Sequence, residues 1–124
     1  MLNTILVAFG GAIGAAARYW LSILVGRLTG MPSPVGTLVV NVLGCALMGI
    51  LFVMLVERHA AMEWRALLMS GVLGGFTTFS AFSIETVSLM QDGAWAKAAS
   101  YVGASAVICV LACWLGVVAT RAAG

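Results

Sequence analysis

The chain has 124 residues, of which 63% are apolar or aromatic and only 8% carry a formal charge, against about 25% in an ordinary soluble domain. With a mean hydropathy of +1.14, this composition excludes a water-soluble globular protein, and a scattered net charge of +2 gives no basis for a nucleic-acid partner. Four helices of about 22 residues, each able to cross a ~30 Å hydrocarbon core, would use roughly 88 positions and leave about 36 for ends and turns. That remainder holds neither a cytoplasmic nucleotide fold nor a ligand-binding ectodomain. The expected class is therefore all-α, a single four-helix transmembrane domain with spans at about 2–26, 36–56, 66–90 and 98–120.

The first stretch lacks the Lys/Arg n-region of a secretory signal, so it reads as a span. Gly10, Gly14 and Arg18 follow one another at steps of four, a spacing that lets a neighbouring helix approach closely. Arg18 lies near enough to the interface for snorkelling to be its default account. The segment Gly30-Met31-Pro32-Ser33-Pro34 punctuates the chain before the second span, which carries Asn41, an amide able to donate or accept, and the small residues Gly44 and Gly49.

The third span departs most from a lipid-facing helix. Residues 71–86 read GVLGGFTTFSAFSIET, with adjacent glycines, three threonines and two serines in an apolar run. Such backbone is tolerated at membrane depth where it is buried in protein or lines an aqueous path, and an unwound turn there presents carbonyls that can hold a cation. A helix break at 74–78 is expected. The alternative is a continuous helix whose hydroxyls bond back to their own carbonyls. Phe79 and Phe82 share a helix face beyond the break, with Phe76 a further turn back, and an aromatic edge offers weak stabilisation to an anion. Glu85 is the one acid well inside a span, hence a functional candidate.

The fourth span follows Gln91-Asp92-Gly93 and sets Tyr101, Ser105, Cys109 and Cys113 at steps of four, a polar stripe that suits protein or water better than lipid. The cysteines, Cys45 included, have no zinc-site spacing and are expected to be reduced and buried. Trp64 and Trp95 flank spans, as interfacial aromatics do. If the N-terminus, the second loop and the C-terminus share one side, that side holds Arg58, Arg65 and Arg121, against Arg27 and Lys97 on the other. Three against two is almost no bias, so the chain is expected to insert in both directions and to form an antiparallel, dual-topology dimer.

The runs GGAIGAAARYW (10–20), GTLVVNVLG (36–44) and GGFTTFSAFSIET (74–86), in that order across four short spans, closely resemble the small fluoride channels of the Fluc or CrcB family over essentially the whole chain. The resemblance implies a multi-pass protein of the bacterial inner membrane, an antiparallel homodimer with two anion pores, and passive export of fluoride. It also implies a structural Na⁺ on the backbone carbonyls of Gly74 and Thr77 from both subunits. Asn41, Phe79, Phe82, Ser80, Tyr101 and Ser105 match pore positions, while Arg18 and Glu85 match polar positions near a vestibule. The chain departs from the family's usual pattern at Ala81, where TTFSTF reads TTFSAF, and at Cys109 and Cys113, where serine and threonine are common. Thiols are weaker donors than hydroxyls, which admits an alternative: one subunit of an obligate heterodimer with a paralogue, with one inactive pore. A proton-coupled multidrug exporter, the other alternative, needs a carboxylate in the first span, where this chain has Arg18.

Overall fold

In a computed structural model that describes residues 1–30 and 33–124, four helical spans run over Leu2–Thr29, Ser33–Glu57, Met62–Gln91 and Trp95–Ala123. They extend the expected spans by up to several residues at either end, and all four are long and apolar enough to cross a membrane. Of the turn expected at 30–34, Met31 and Pro32 lie outside the described residues.

The first helix ends at Gly30, whose φ of 63° is left-handed and whose N–H donates to the Gly26 carbonyl at 3.0 Å. Glycine adopts that conformation without the Cβ penalty, so the helix stops there. Pro34 falls in the first turn of the next helix, where its missing N–H costs no intrahelical bond. The loop after it is flanked by two π-helical stretches, Phe52–Glu57 and Arg65–Leu73. Arg65 Nε donates to the Leu55 carbonyl at 3.0 Å and ties the two stretches together.

Much of what lies inside is small or polar, and much of what lies outside is large and apolar. Gly10, Gly14, Gly36, Gly44, Gly49, Gly71 and Gly116 are buried, whereas Phe9, Ile13, Trp20, Leu111 and Trp114 are exposed. Lipid is as apolar as leucine, so helices gain by backbone contact rather than by hiding side chains. Two parallel pairs result. The first and third spans meet at Gly14, where a Cβ would overlap the Val72 carbonyl. The second and fourth meet at Gly49 and Gly116, where a Cβ would strike the carbonyls of Cys113 and Ala46.

The second pair keeps one register along its length. Glu57 is ion-paired with Arg121, 64 positions later; Gly49 faces Cys113 at the same offset, which places Cys45 level with Cys109, and both line one groove. This lays the stripe Ser33, Thr37, Asn41, Cys45 of the second span alongside Tyr101, Ser105, Cys109, Cys113 of the fourth. Between these stripes sits the interruption of the third span. Thr77 and Thr78 are extended, with φ/ψ of −77/155° and −149/122°, and helix resumes at Phe79.

Candidate functional site

The break is held open by specific bonds. Thr78 N–H donates to Asn41 Oδ1 at 2.8 Å, and Asn41 Nδ2 donates to the Thr78 carbonyl at 2.9 Å, so one amide satisfies both backbone groups of the unwound residue. Thr78 Oγ1 caps the following helix by accepting from Ala81 N–H at 3.2 Å, and it also meets Ser80 Oγ at 3.2 Å. The back-bonding of hydroxyls that marked the alternative, a continuous helix, occurs as well, at Thr77, Ser83 and Thr86, each donating to the carbonyl four residues earlier. Break and back-bonding therefore coexist in one segment.

This wiring bears on the two carbonyls assigned to a cation. In a continuous helix the Gly74 carbonyl would accept from Thr78 N–H, which goes to Asn41 instead. The Thr77 carbonyl would accept from Ala81 N–H, which goes to Thr78 Oγ1. Gly74 is also exposed. Carbonyl oxygens relieved of their helical donors suit a hard cation such as Na⁺.

A groove of about 410 Å³ opens on one side of the break, with Asn41, Thr77, Thr78, Phe79, Phe82, Ser105 and Cys109 in its wall. Phe79 and Phe82 stand with ring centroids 5.3 Å apart, and Phe82 meets Tyr101 at 5.2 Å. Phe76, expected to extend that face, packs against Gly44 instead, because the break rotates the segment that carries it. The Ser105 hydroxyl oxygen is buried and has no hydrogen-bond partner among the described residues. A buried donor without a partner costs about 1–3 kcal/mol, so its retention in a groove wall points to a ligand that accepts from it.

A second cavity of about 620 Å³ lies on the other side of Thr78 and contains Arg18, Ser33, Thr37, Ala81 and Glu85. Glu85 takes three hydroxyl donors: Thr37 at 2.7 Å, Tyr101 at 2.7 Å, and Ser33. Arg18 does not simply reach for the interface: its Nε is buried and has no hydrogen-bond partner among the described residues. Thr78 lines both cavities.

The sequence-predicted residues thus fall into two groups that meet at Thr78. Asn41, Phe79, Phe82, Ser105 and Cys109 share the groove; Arg18, Glu85 and Ala81 share the second cavity; Tyr101 joins them, touching Phe82 and Glu85. Ser80 is exposed and reaches the site only through Thr78. Cys113 faces the second span at Gly49 rather than the groove wall. The three cysteines are half-buried, not buried as expected; Cys45 and Cys109 open onto the groove. Ser33, Thr37 and Cys45 were missed; their i, i+4 spacing with Asn41 was the available signal.

Residues 5–117 match the family described as CrcB-like protein, Camphor Resistance (CrcB). The chain is 50% identical over 123 residues to a protein named fluoride-specific ion channel FluC from Ruegeria sp., covering 98% of this chain and 97% of the relative. It is 45% identical over 122 residues to a protein of the same name from Coxiella burnetii, covering 97% and 98%. A third so named, from Paramagnetospirillum magneticum, is 46% identical over 123 residues, covering 96% and 95%.

Proposed function

The chain belongs to the CrcB-like family, and from that premise we propose that it is a fluoride-selective channel of the inner membrane of a bacterium, working as an antiparallel dimer with two pores. The observation that carries the reading is the buried, partnerless Ser105 hydroxyl in a groove walled by the Phe79–Phe82 ring pair and Asn41.

Fluoride is small and strongly hydrated, so a pore must replace lost water without holding the ion fast. A series of weak contacts meets that demand: the Ser105 hydroxyl donates, and the Phe79 and Phe82 edges offer positive density. Asn41 has its oxygen and one N–H committed to Thr78; its second N–H remains to donate. The Glu85 carboxylate would repel an anion if bare, but its hydroxyl partners Thr37, Tyr101 and Ser33 spread that charge. Export needs no pump, since each anion leaving a negative-inside cell gains about 2.3 kcal/mol per 100 mV.

In this reading the carbonyls of Gly74 and Thr77, with their copies from the partner subunit, hold a structural Na⁺, which supplies fixed positive charge where low dielectric screens it little. Two chains facing opposite ways also cover the exposed Gly74, Phe79 and Ser80. The homodimer follows from near-balanced loop charge, and a paralogous subunit is the outcome to which a silent purified chain would point.

The test is reconstitution of the purified chain into vesicles loaded with KF or KCl, with anion release recorded by ion-selective electrode after a K⁺ ionophore is added. Fluoride release without chloride release is expected, and Phe82→Ile, which keeps apolar bulk and removes the ring edge, is expected to abolish most of it while leaving the folded assembly intact. No fluoride release from a folded dimer would overturn the homodimeric channel; unchanged release by Phe82→Ile would take that ring off the path.

A further inference from the structure

Two thiols stand side by side in the groove wall. Cys45 of the second span and Cys109 of the fourth both line the groove, and both are free and half-buried. The register of the two helices sets them opposite each other, because the 64-residue offset that joins Glu57 to Arg121 and seats Gly49 against Cys113 also places Cys45 level with Cys109. Gly49 and Gly116 bring the backbones together one or two turns further along and hold that register.

Thiols at this point change which ions the wall can bind. Hydroxyls have little affinity for soft metals, whereas paired thiolates select soft cations such as Cu⁺. No group of three or more His, Cys, Asp or Glu side chains capable of holding a metal occurs among the described residues. A two-donor site does not satisfy the tetrahedral preference of zinc, but it does satisfy ions that accept two sulfurs in a line.

We propose that Cys45 and Cys109 form a two-thiol site for a soft monovalent cation of the Cu⁺ or Ag⁺ class, set in the wall of the groove. Each thiol releases its proton to water, two sulfur–metal bonds form and no electron moves. The occupied unit, one cation and two thiolates, carries a net charge of −1 where two neutral thiols stood. Because two protons leave, binding tightens as pH rises. A negative unit beside Asn41 and Ser105 repels an anion, so occupancy closes the path; this consequence rests on the fluoride reading, whereas the site itself does not.

The test uses silver nitrate in chloride-free buffer and the purified full chain. Native mass spectrometry counts bound silver, and maleimide labelling read on peptides reports which thiols are covered. One Ag⁺ per chain is expected, protecting Cys45 and Cys109 together and leaving Cys113 reactive, with protection stronger at higher pH. Cys109→Ser should raise the silver needed to protect Cys45 by about tenfold or more, since the second bond is then no longer intramolecular. Cys45→Ser should do the same for Cys109, and Cys45→Ala, which keeps apolar packing, gives the same answer if the new hydroxyl disturbs the helix pair. Cys113→Ser should leave the joint protection in place. Independent protection of Cys45 and Cys109, each indifferent to removal of the other, would overturn the site. In vesicles, silver at the protecting concentration is expected to stop fluoride release, and excess dithiothreitol to restore it. If the chain releases no fluoride even without silver, the fluoride reading fails while the protection pattern still decides the site.

Discussion

At the scale of single residues, Asn41 has the largest structural burden. Its amide is the partner of both backbone groups of Thr78, a residue that is buried and outside any helix. Asn41→Ala would leave that N–H and that carbonyl unpaired, at about 1–3 kcal/mol for each group. The expected result is a clear fall in thermal or detergent-unfolding stability together with loss of fluoride release. Asn41→Asp keeps an acceptor for the N–H but offers the carbonyl no donor when ionised, so its stability should fall between wild type and Asn41→Ala. Wild-type stability in Asn41→Ala would mean that the break holds without its brace. That an amide at this depth would have a specific role was legible from the sequence, because a lone asparagine in an apolar span needs a partner. Its partner was not, and neither were the three hydroxyls on Glu85. Ser33 and Thr37 lie 52 and 48 positions from that acid, and contacts of that separation depend on helix register, which residue identity alone does not reveal.

At the scale of elements, the spans and the break were readable because their signals are local. Apolar runs of membrane-crossing length announce the spans, and two glycines followed by two threonines announce the interruption. Pairing was less visible: many glycines invite close contact, but only geometry tells which of them are in one. Gly14 and Gly11 separate the cases. A Cβ on Gly14 would overlap the Val72 carbonyl and approach Phe76 N, whereas one on Gly11 would lie 4.0 Å from the Gly71 carbonyl, in ordinary contact. Gly14→Ala is therefore expected to push the first span off the third, next to the broken segment, and to lower the unfolding midpoint and the yield of folded protein. Gly11→Ala should leave both close to wild type, helped by the better helix propensity of alanine. Equal tolerance of the two substitutions, measured by size-exclusion chromatography after heating, would show that the first and third spans are not locked at Gly14. The same reasoning explains why Phe76 departs from the Phe79–Phe82 face: a helical period cannot be carried across two extended residues.

At the scale of the whole molecule, the outer surface carries two messages. Most of it is apolar, as lipid demands, but Gly74 and Ser80 are exposed at the break, and polar backbone beside lipid is costly. A second copy of the chain is the proposed cover, and the loops bear on how it inserts. The turn side that carries Arg58 and Arg65, together with Arg121 near the C-terminus, opposes Arg27 and Lys97 at the other ends of the helices, a difference of one basic residue. Orientation follows Lys and Arg near the ends of spans far more than it follows acids, so Glu57 and Glu63 do little to restore a bias. A cysteine introduced near the C-terminus, Ala123→Cys, labelled in intact cells with a membrane-impermeant maleimide, is therefore expected to react in about half of the copies. Adding Glu63→Arg to that variant makes the balance four against two and should drive labelling toward a single value. If antiparallel pairing is what completes the groove, fluoride release from the cells must fall along with the minority orientation, because each correctly inserted chain then lacks a partner facing the other way. Labelling confined to one side in the parent variant, with fluoride release intact, would mean that parallel chains conduct and that the broken third spans are covered in some other way.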